Sequence, residues 1–218
     1  MSAINTHDLP DCFRAYKWSN ANHASRGYPG DVYPEFHWIR SLEDRGQRVA
    51  ALLDFGRAPM DYVREILAWG AGSNDPSRKF EAGLGNVALL DILRQVVASI
   101  DDPGEAIRAA LQIPGFGLTY ASKLLRFLRP DIHASLDRRI RRALHESGFL
   151  PNIRDNCDRS RINGYVAFQA LCMDLCAQLE TAGIQRPKCT LCPGLEPTGW
   201  RAADVEMALF AWADKVAR

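Results

Sequence analysis

The residues best suited to chemistry lie in one stretch of the chain, residues 111–144. Within it, residues 114–117 read Pro-Gly-Phe-Gly, which predicts a tight turn between two helices. Gly115 and Gly117 remove Cβ atoms where the backbone must approach something closely or adopt a positive φ. The second helix is expected to begin at Leu118, so its first N–H groups have no partner within the helix. A helix N-terminus behind glycines predicts an anion site, and phosphate is the expected ligand.

The flanks of this turn are basic. Between Leu118 and Arg142, seven basic residues stand against two aspartates, a local excess of five positive charges in a chain whose formal net charge is +1. This excess predicts a patch that grips a phosphate backbone without reading bases. The seven basic residues are Lys123, Arg126, Arg129, Arg138, Arg139, Arg141 and Arg142.

Three motifs in this stretch together resemble the helix-hairpin-helix DNA glycosylase superfamily: apolar-Pro-Gly-apolar-Gly, an alanine four residues later, and apolar-Asp-x-x-apolar-x-Arg. The superfamily includes endonuclease III, the adenine glycosylase that acts opposite 8-oxoguanine, and 8-oxoguanine DNA glycosylase. The chain is most similar in character to bacterial proteins with an 8-oxoguanine-glycosylase-like fold. The matching residues are Ile113, Pro114, Gly115, Phe116, Gly117, Ala121, Leu136, Asp137, Ile140 and Arg142.

The resemblance implies a base-excision DNA N-glycosylase, a hydrolase that extrudes a modified base, with a purine favoured, and breaks its glycosidic bond. Asp137 takes the place of the family's essential aspartate, at the start of a helix. It would stabilise positive charge on the sugar or position the nucleophile. The same Asp could also be a plain helix N-cap, and both roles are compatible.

The phosphate contacts follow from the same comparison. The amides around Gly115, Gly117 and Thr119 would hold the phosphate, with Arg126 and Arg139 contacting DNA beside them. No cofactor is required. Backbone carbonyls near three residues correspond to those that hold a monovalent cation in the family's hairpin: Leu111, Ile113 and Phe116.

One position departs from the lyase-competent members, which carry a lysine two residues after the second glycine. Here that residue is Thr119, 18 residues before Asp137, and members that only hydrolyse the bond carry a hydroxyl residue there. The resemblance therefore implies base release without strand cleavage. Lys123 shares a helix face with Thr119 and Arg126, which leaves an alternative in which Lys123 is the nucleophile and gives AP-lyase activity. The simpler interpretation is a solvent-facing lysine on an otherwise apolar helix.

Aromatic residues are candidates for a pocket that holds the extruded base, because such bases are gripped between flat or apolar side chains. In 8-oxoguanine glycosylases the final helix contributes the stacking aromatic, and the last predicted helix here contains two. Each candidate could equally be a core residue. The candidates are Trp69, Phe80, Phe210 and Trp212.

The six cysteines do not have the spacing of the iron–sulfur loop found in endonuclease III. Cys172 and Cys176 fall on the apolar stripe of a predicted helix, so core packing explains them. Cys189 and Cys192 form a C-x-x-C half-site, which leaves zinc or a cluster as a minor alternative to the absence of metal.

The periodicity of apolar residues predicts an all-α fold of two lobes, one over about 60–147 and one formed by 1–59 with 148–218. Helices are expected at 118–128, 138–147, 161–182 and 201–216. Residues 1–44 are expected to form an ordered but irregular arm, and residues 69–83 a polar loop. No segment alternates apolar and polar residues long enough to predict a strand.

The sequence lacks a secretory signal and an apolar run long enough to span a membrane, so we expect a soluble, cytoplasmic, nucleoid-associated monomer of bacterial type. Its expected partner is double-stranded DNA with a modified base. Two alternatives remain open. One is a non-catalytic nucleic-acid-binding protein. The other is an accessory acting on RNA, a modified nucleobase or viral DNA in antiphage defence.

Overall fold

The computed structural model describes residues 4–51, 58–70, 75–189 and 197–216. Over these residues the chain is all-α, as predicted, with eleven α-helices and a single two-stranded antiparallel sheet. The helices are α1 (Leu9–Arg14), α2 (Ala21–Ser25), α3 (His37–Ala51), α4 (Ala58–Gly70), α5 (Pro76–Gly83), α6 (Leu89–Ala98), α7 (Pro103–Ala110), α8 (Leu118–Leu128), α9 (Arg138–Glu146), α10 (Asp158–Thr181) and α11 (Ala202–Val216). The strands are β1 (Lys17–Trp18) and β2 (Asp31–Val32), and 3₁₀ turns cover Thr6–Asp8 and Leu84–Asn86.

The helices around the motif lie where the periodicity predicts them. The bounds of α8 agree with the prediction, and those of α9 and α11 agree within one residue. Helix α10 begins at Asp158, earlier than expected, because the polar first turn carries no apolar stripe. These segments were predictable because each buries one face, or in α11 every face, in the core.

Two expectations about irregular segments are wrong. The arm over 1–44 contains α1, α2, both strands and the start of α3, and the loop over 69–83 contains the end of α4 and all of α5. Helices of five to eight residues are too short to display a helical period. Their local signals were nevertheless present: the Asn20 side chain caps α2, and Asp75 caps α5 immediately before Pro76.

Helix α11 lies at the centre of the fold. Every residue from 202 to 213 is buried, including Asp204 and Glu206, and helices α1, α9 and α10 pack around it. Helix α8 packs against α3, α4 and α7. The approach of α3 to α8 requires Gly46, because a Cβ atom there would collide with the Phe127 carbonyl. One continuous apolar core therefore underlies the motif.

The division into two lobes stays a prediction.

Among the helices that the structure describes, none combines the length and apolar character needed to cross a membrane.

Candidate functional site

The hairpin before α8 has the geometry that its glycines suggest. Gly115 has a φ of +76°, and a Cβ atom there would lie 2.8 Å from the Pro76 carbonyl oxygen. Both the backbone conformation and the lack of space therefore disfavour a side chain at this position. The Phe116 amide closes the turn by donating to the Ile113 carbonyl at 3.0 Å. Gly117 is extended, and a Cβ atom there would meet nothing within 4 Å. The open side of the hairpin is thus at Gly117.

The N-terminus of α8 opens into a concavity of about 350 Å³. Gly117 is the N-cap residue and supplies no side-chain cap, so the first amides of α8 are free to bind an anion. Lys79 and Arg138 line the concavity, and neither forms a direct ion pair among the described residues. Arg141 also lines it but is paired with Asp155, Nη2 to Oδ2, at 3.0 Å. The concavity therefore combines a helix N-terminus with two available cations.

The strongly basic patch predicted around the hairpin is largely neutralised. Lys123 and Arg126 are buried, and four other arginines pair with carboxylates. These pairs are Arg129–Asp101, Arg139–Asp214, Arg141–Asp155 and Arg142–Glu146. Arg138 is exposed and forms no direct ion pair over the part of the chain that the structure describes, although its charge contributes to lowering the pKa of Asp155. The local field is therefore smaller than the count of seven basic residues indicated.

The prediction that Arg126 contacts phosphate is wrong. Its side chain is completely buried, with Nη1 2.9 Å from Glu43 Oε1 and Nε 3.7 Å from Glu206 Oε2. Neither Nε nor Nη1 makes a well-aligned hydrogen bond, so charge attraction rather than directed bonding holds the group. Arg139 is also engaged: its guanidinium lies 4.3 Å from the centre of the Phe210 ring and pairs with Asp214. Its contact with DNA stays a prediction.

Asp137 is held in place by α8 as well as by its own helix. The Thr119 hydroxyl donates to the Leu136 carbonyl at 3.4 Å, and the Ser122 hydroxyl accepts from the Leu136 amide at 2.9 Å. Asp137 is the N-cap of α9, as expected, and its Oδ1 accepts from the Ile140 amide at 2.8 Å. Its Oδ2 has no hydrogen bond within the described residues. One carboxylate oxygen is therefore anchored while the other is available.

The segment that precedes Asp137 is fixed from the other side by α10. The Gln169 amide accepts from the Ala134 N–H at 3.1 Å and donates to the Ile132 carbonyl at 2.8 Å. His133 is buried and lies 3.0 Å from the Tyr165 hydroxyl through Nδ1. A loop whose backbone is bound on both sides cannot easily shift, so Asp137 is preorganised.

Lys123 does not face solvent, contrary to the simpler interpretation of its position. The residue is 7% exposed, and its ammonium lies 4.8 Å from the ring centre of Trp69, 5.2 Å from Tyr120 and 5.7 Å from Trp18. Electron-rich ring faces attract a cation at such distances. We refer to Trp18, Trp69 and Tyr120 as the ring cage. The apolar pattern of α8 could not indicate it, because two of the rings come from elsewhere.

The buried environment of Lys123 disfavours the charged form of its amine. Burial lowers the pKa of Lys123 to about 8, although the negative charges of Asp137 and Glu206 act in the other direction. Burial likewise raises the pKa of Glu206 to about 7, against the opposing charge of Arg126. Lysine and glutamate therefore titrate near neutral pH within one buried cluster, which is common at functional sites.

The ring cage is built on α4 and the N-terminal arm. The Trp18 and Asn20 side chains both donate to the Trp69 carbonyl, at 2.9 and 2.8 Å, and so satisfy the C-terminus of α4. The Trp69 indole donates to buried Asp31 at 2.9 Å. Gly70 gives the cage its space, because a Cβ atom there would lie 2.6 Å from the Tyr120 ring and 3.0 Å from the Lys123 amine.

The four aromatic candidates for a base pocket have different outcomes. Trp69 belongs to the ring cage, and Phe210 lies beside it at 6.1 Å from Trp18. Phe80 is completely buried against Phe116 beneath the hairpin, so its assignment to a pocket is wrong. Trp212 is 7% exposed and packs near Phe149 at 6.5 Å, and its role in a pocket stays a prediction. Sequence reasoning missed Tyr120, which a helical spacing of three from Lys123 could have indicated, and it missed Trp18.

The carbonyls proposed for a monovalent cation fit that role only in part. Ile113 O already accepts the Phe116 amide, whereas the Leu111 and Phe116 carbonyls accept no hydrogen bond from described residues. A cation there would brace the hairpin.

Of the cysteine half-site, Cys189 is buried beside Arg186 and Cys192 lies outside the described residues. The described residues contain no group of three potential metal ligands, and Cys172 is a buried core residue, as expected.

Compared with protein-family models, with curated proteins and with solved structures, the chain matches none of them. The helix-hairpin-helix resemblance therefore depends on the residues themselves.

Replacing Lys123 with methionine should stabilise the protein at neutral pH. The amine makes no hydrogen bond that would be lost, and its pKa falls from 10.5 to about 8 on folding, so a protonated Lys123 costs stability. We expect Lys123→Met to raise the free energy of unfolding by about 3 kcal/mol at pH 7, since each pKa unit corresponds to about 1.4 kcal/mol. Wild-type stability rises between pH 8 and 10.5, because the unfolded chain binds the extra proton there, so the difference should shrink. Urea unfolding at pH 7 and pH 10 measures both effects.

The matched control is Lys79→Met, which removes an exposed lysine and should leave stability nearly unchanged at both pH values. A Lys123→Met protein that is less stable than wild type at pH 7 would contradict the buried, unpaired position of this amine.

Proposed function

We propose that this chain is a DNA N-glycosylase of the base-excision type, which extrudes a modified base from a duplex and hydrolyses its glycosidic bond. One observation carries the proposal. Asp137, with one available carboxylate oxygen, is bound through Leu136 to the same helix whose uncapped N-terminus opens into the concavity. This arrangement suits a ligand that presents a phosphate and a sugar a short distance apart.

The phosphate would be held without regard to base identity. The first amides of α8 supply hydrogen bonds and the positive end of the helix dipole, and Lys79 and Arg138 supply charge. Because Gly117 presents no side chain, an oxygen can approach those amides closely. Such contacts fix the register of a duplex on the protein.

Asp137 would act on the sugar. Breaking a glycosidic bond builds positive charge on the anomeric carbon as the base leaves with the bonding electrons. A carboxylate whose orientation is already fixed stabilises that charge without reorganising during the reaction. The anchored Oδ1 holds the orientation, and Oδ2 faces the charge or directs the attacking water.

Extruding a base from the stack costs a few kcal/mol, which the pocket must offset. Stacking on an aromatic side chain contributes about 1–3 kcal/mol per base. The ring cage offers such surfaces, and Trp18 is the half-exposed member, whereas Trp69 and Tyr120 are buried.

Asp137→Asn is expected to lower base release by at least about a hundredfold, because asparagine keeps the cap of α9 but lacks the charge. Affinity for duplex should change only a few-fold. The measurement uses a panel of duplexes, each with one modified base, followed by alkaline cleavage of the abasic products.

Asp102→Asn is the matched control, since Asp102 caps α7 in the same way at an exposed site away from the hairpin. Full base release by Asp137→Asn would refute the assignment. If wild type binds duplexes but releases no base, the chain is a non-catalytic binder, or its substrate is RNA, a free modified nucleobase or viral DNA.

Gly117→Ala should weaken binding to all duplex sequences alike. The backbone at residue 117 accommodates alanine and no described atom lies within 4 Å of the added methyl, so stability should change little. The methyl would, however, stand where the phosphate is proposed to lie. Binding of the wild type should also fall steeply with salt concentration.

Gly199→Ala serves as the control, because its Cβ would also meet nothing within 4 Å. Anisotropy titrations over a range of salt concentrations measure the affinities. Equal affinities for wild type and Gly117→Ala, or binding that is insensitive to salt, would rule out the phosphate site.

Base release should leave the strand intact. The residue two positions past Gly117 is Thr119, which has no amine to form an imine with the sugar. Borohydride added with an abasic duplex should therefore trap no covalent complex, and the strand should break only after alkali. A trapped complex that disappears in Lys123→Gln would instead identify Lys123 as a nucleophile with lyase activity.

A further inference from the structure

Lys123 is the one buried cation of the described residues that has neither a hydrogen bond nor an ion pair. The other two buried cations, Arg126 and Arg186, lie against carboxylates. An ammonium carries three N–H donors, and leaving donors unpaired in a buried place is unfavourable. The rings around Lys123 attract its charge but accept no conventional hydrogen bond. The missing partner of Lys123 is therefore an acceptor that the chain does not supply.

The shape of the site restricts what that acceptor belongs to. The ammonium lies within 6 Å of three aromatic ring centres, and aromatic side chains of this kind are the surfaces on which a flat aromatic group stacks. Tyr120 belongs to the ring cage and also lines the hairpin concavity, so the two features are adjacent. Trp18 is only half-buried and marks the exposed side of the cage. A nucleotide with its phosphate at α8 could thus present its base to Lys123.

We propose that Lys123, within the ring cage, is the recognition group for the extruded base, and that it selects bases that present a carbonyl oxygen to it. The inference rests on the proposed function. An ammonium has donors and no acceptor, so it bonds to a carbonyl but opposes an amino group at the same place. Deaminated bases differ from adenine and cytosine in this way, because a carbonyl replaces the amino group. An oxidised purine instead gains a carbonyl that its parent base lacks.

The test compares bases that differ in one such group. Four duplexes carry hypoxanthine, adenine, uracil or cytosine opposite a tetrahydrofuran spacer, so that no base pair has to be broken. The tested nucleotide is a 2′-fluoroarabino analogue, whose glycosidic bond resists hydrolysis. We expect wild type to bind the hypoxanthine duplex at least about tenfold more tightly than the adenine duplex, and uracil more tightly than cytosine.

Lys123→Met should bind both members of each pair equally, with its fold checked by thermal unfolding. Lys79→Met should bind all four duplexes more weakly and keep the ratios, because it removes a phosphate contact alone. Equal wild-type affinities within both pairs, or ratios that persist in Lys123→Met, would overturn the inference. Since no bond is broken here, selective binding without base release in the earlier panel would refute only the proposed glycosylase. Base release without selectivity would refute only the role of Lys123, and a failure to bind any duplex would refute both.

Discussion

Among the described residues four carboxylates are buried, and three of them, Glu43, Asp204 and Glu206, share one network of arginines around which the helices are arranged. Asp204 on α11 accepts from Arg186 and Arg201, and Arg201 also reaches Glu43 on α3 at 2.9 Å. Glu206 lies against Arg126. Arg201 and Arg186 hold the pKa of Asp204 well below its usual range, although burial acts in the other direction. Removing one partner from such a network costs about 3–5 kcal/mol, because the other charge is left buried and unpaired.

The geometry of the candidate site depends on this network. Arg126 ties α8 to α3 and α11, and Lys123 lies one turn earlier on α8, so the direction of the Lys123 side chain is set by the same contacts. A second set of contacts begins at Asp31, which is completely buried. It caps α3 through the Trp38 and Ile39 amides and orients the Trp69 indole. The geometry of the ring cage therefore depends on two separate polar systems.

The sequence allowed the hairpin, α8, α9 and the capping role of Asp137 to be predicted, because each depends on residues within about two helical turns. Arg126 and Lys123 were misjudged for the opposite reason. Their neighbours Glu43, Glu206, Trp18 and Trp69 lie far away in the sequence, and no local pattern reports a contact of that kind. The basic patch was overestimated in the same way, since Asp101, Asp155 and Asp214 neutralise it from other segments, and only the Arg142–Glu146 pair lies within one helix.

The packing of α1 against α11 has a consequence for how the protein is made. A chain leaves the ribosome with its N-terminus first, at about 5–20 residues per second. The ring cage uses residues near positions 18, 69 and 120, and its electrostatic surroundings use Glu206. Until α11 has been synthesised, the faces of α1, α9 and α10 that it covers have nothing to pack against. The nascent chain therefore carries Asp137 and the hairpin before the surroundings of the candidate site are complete. Translation that stops short of α11 yields a product with an exposed core.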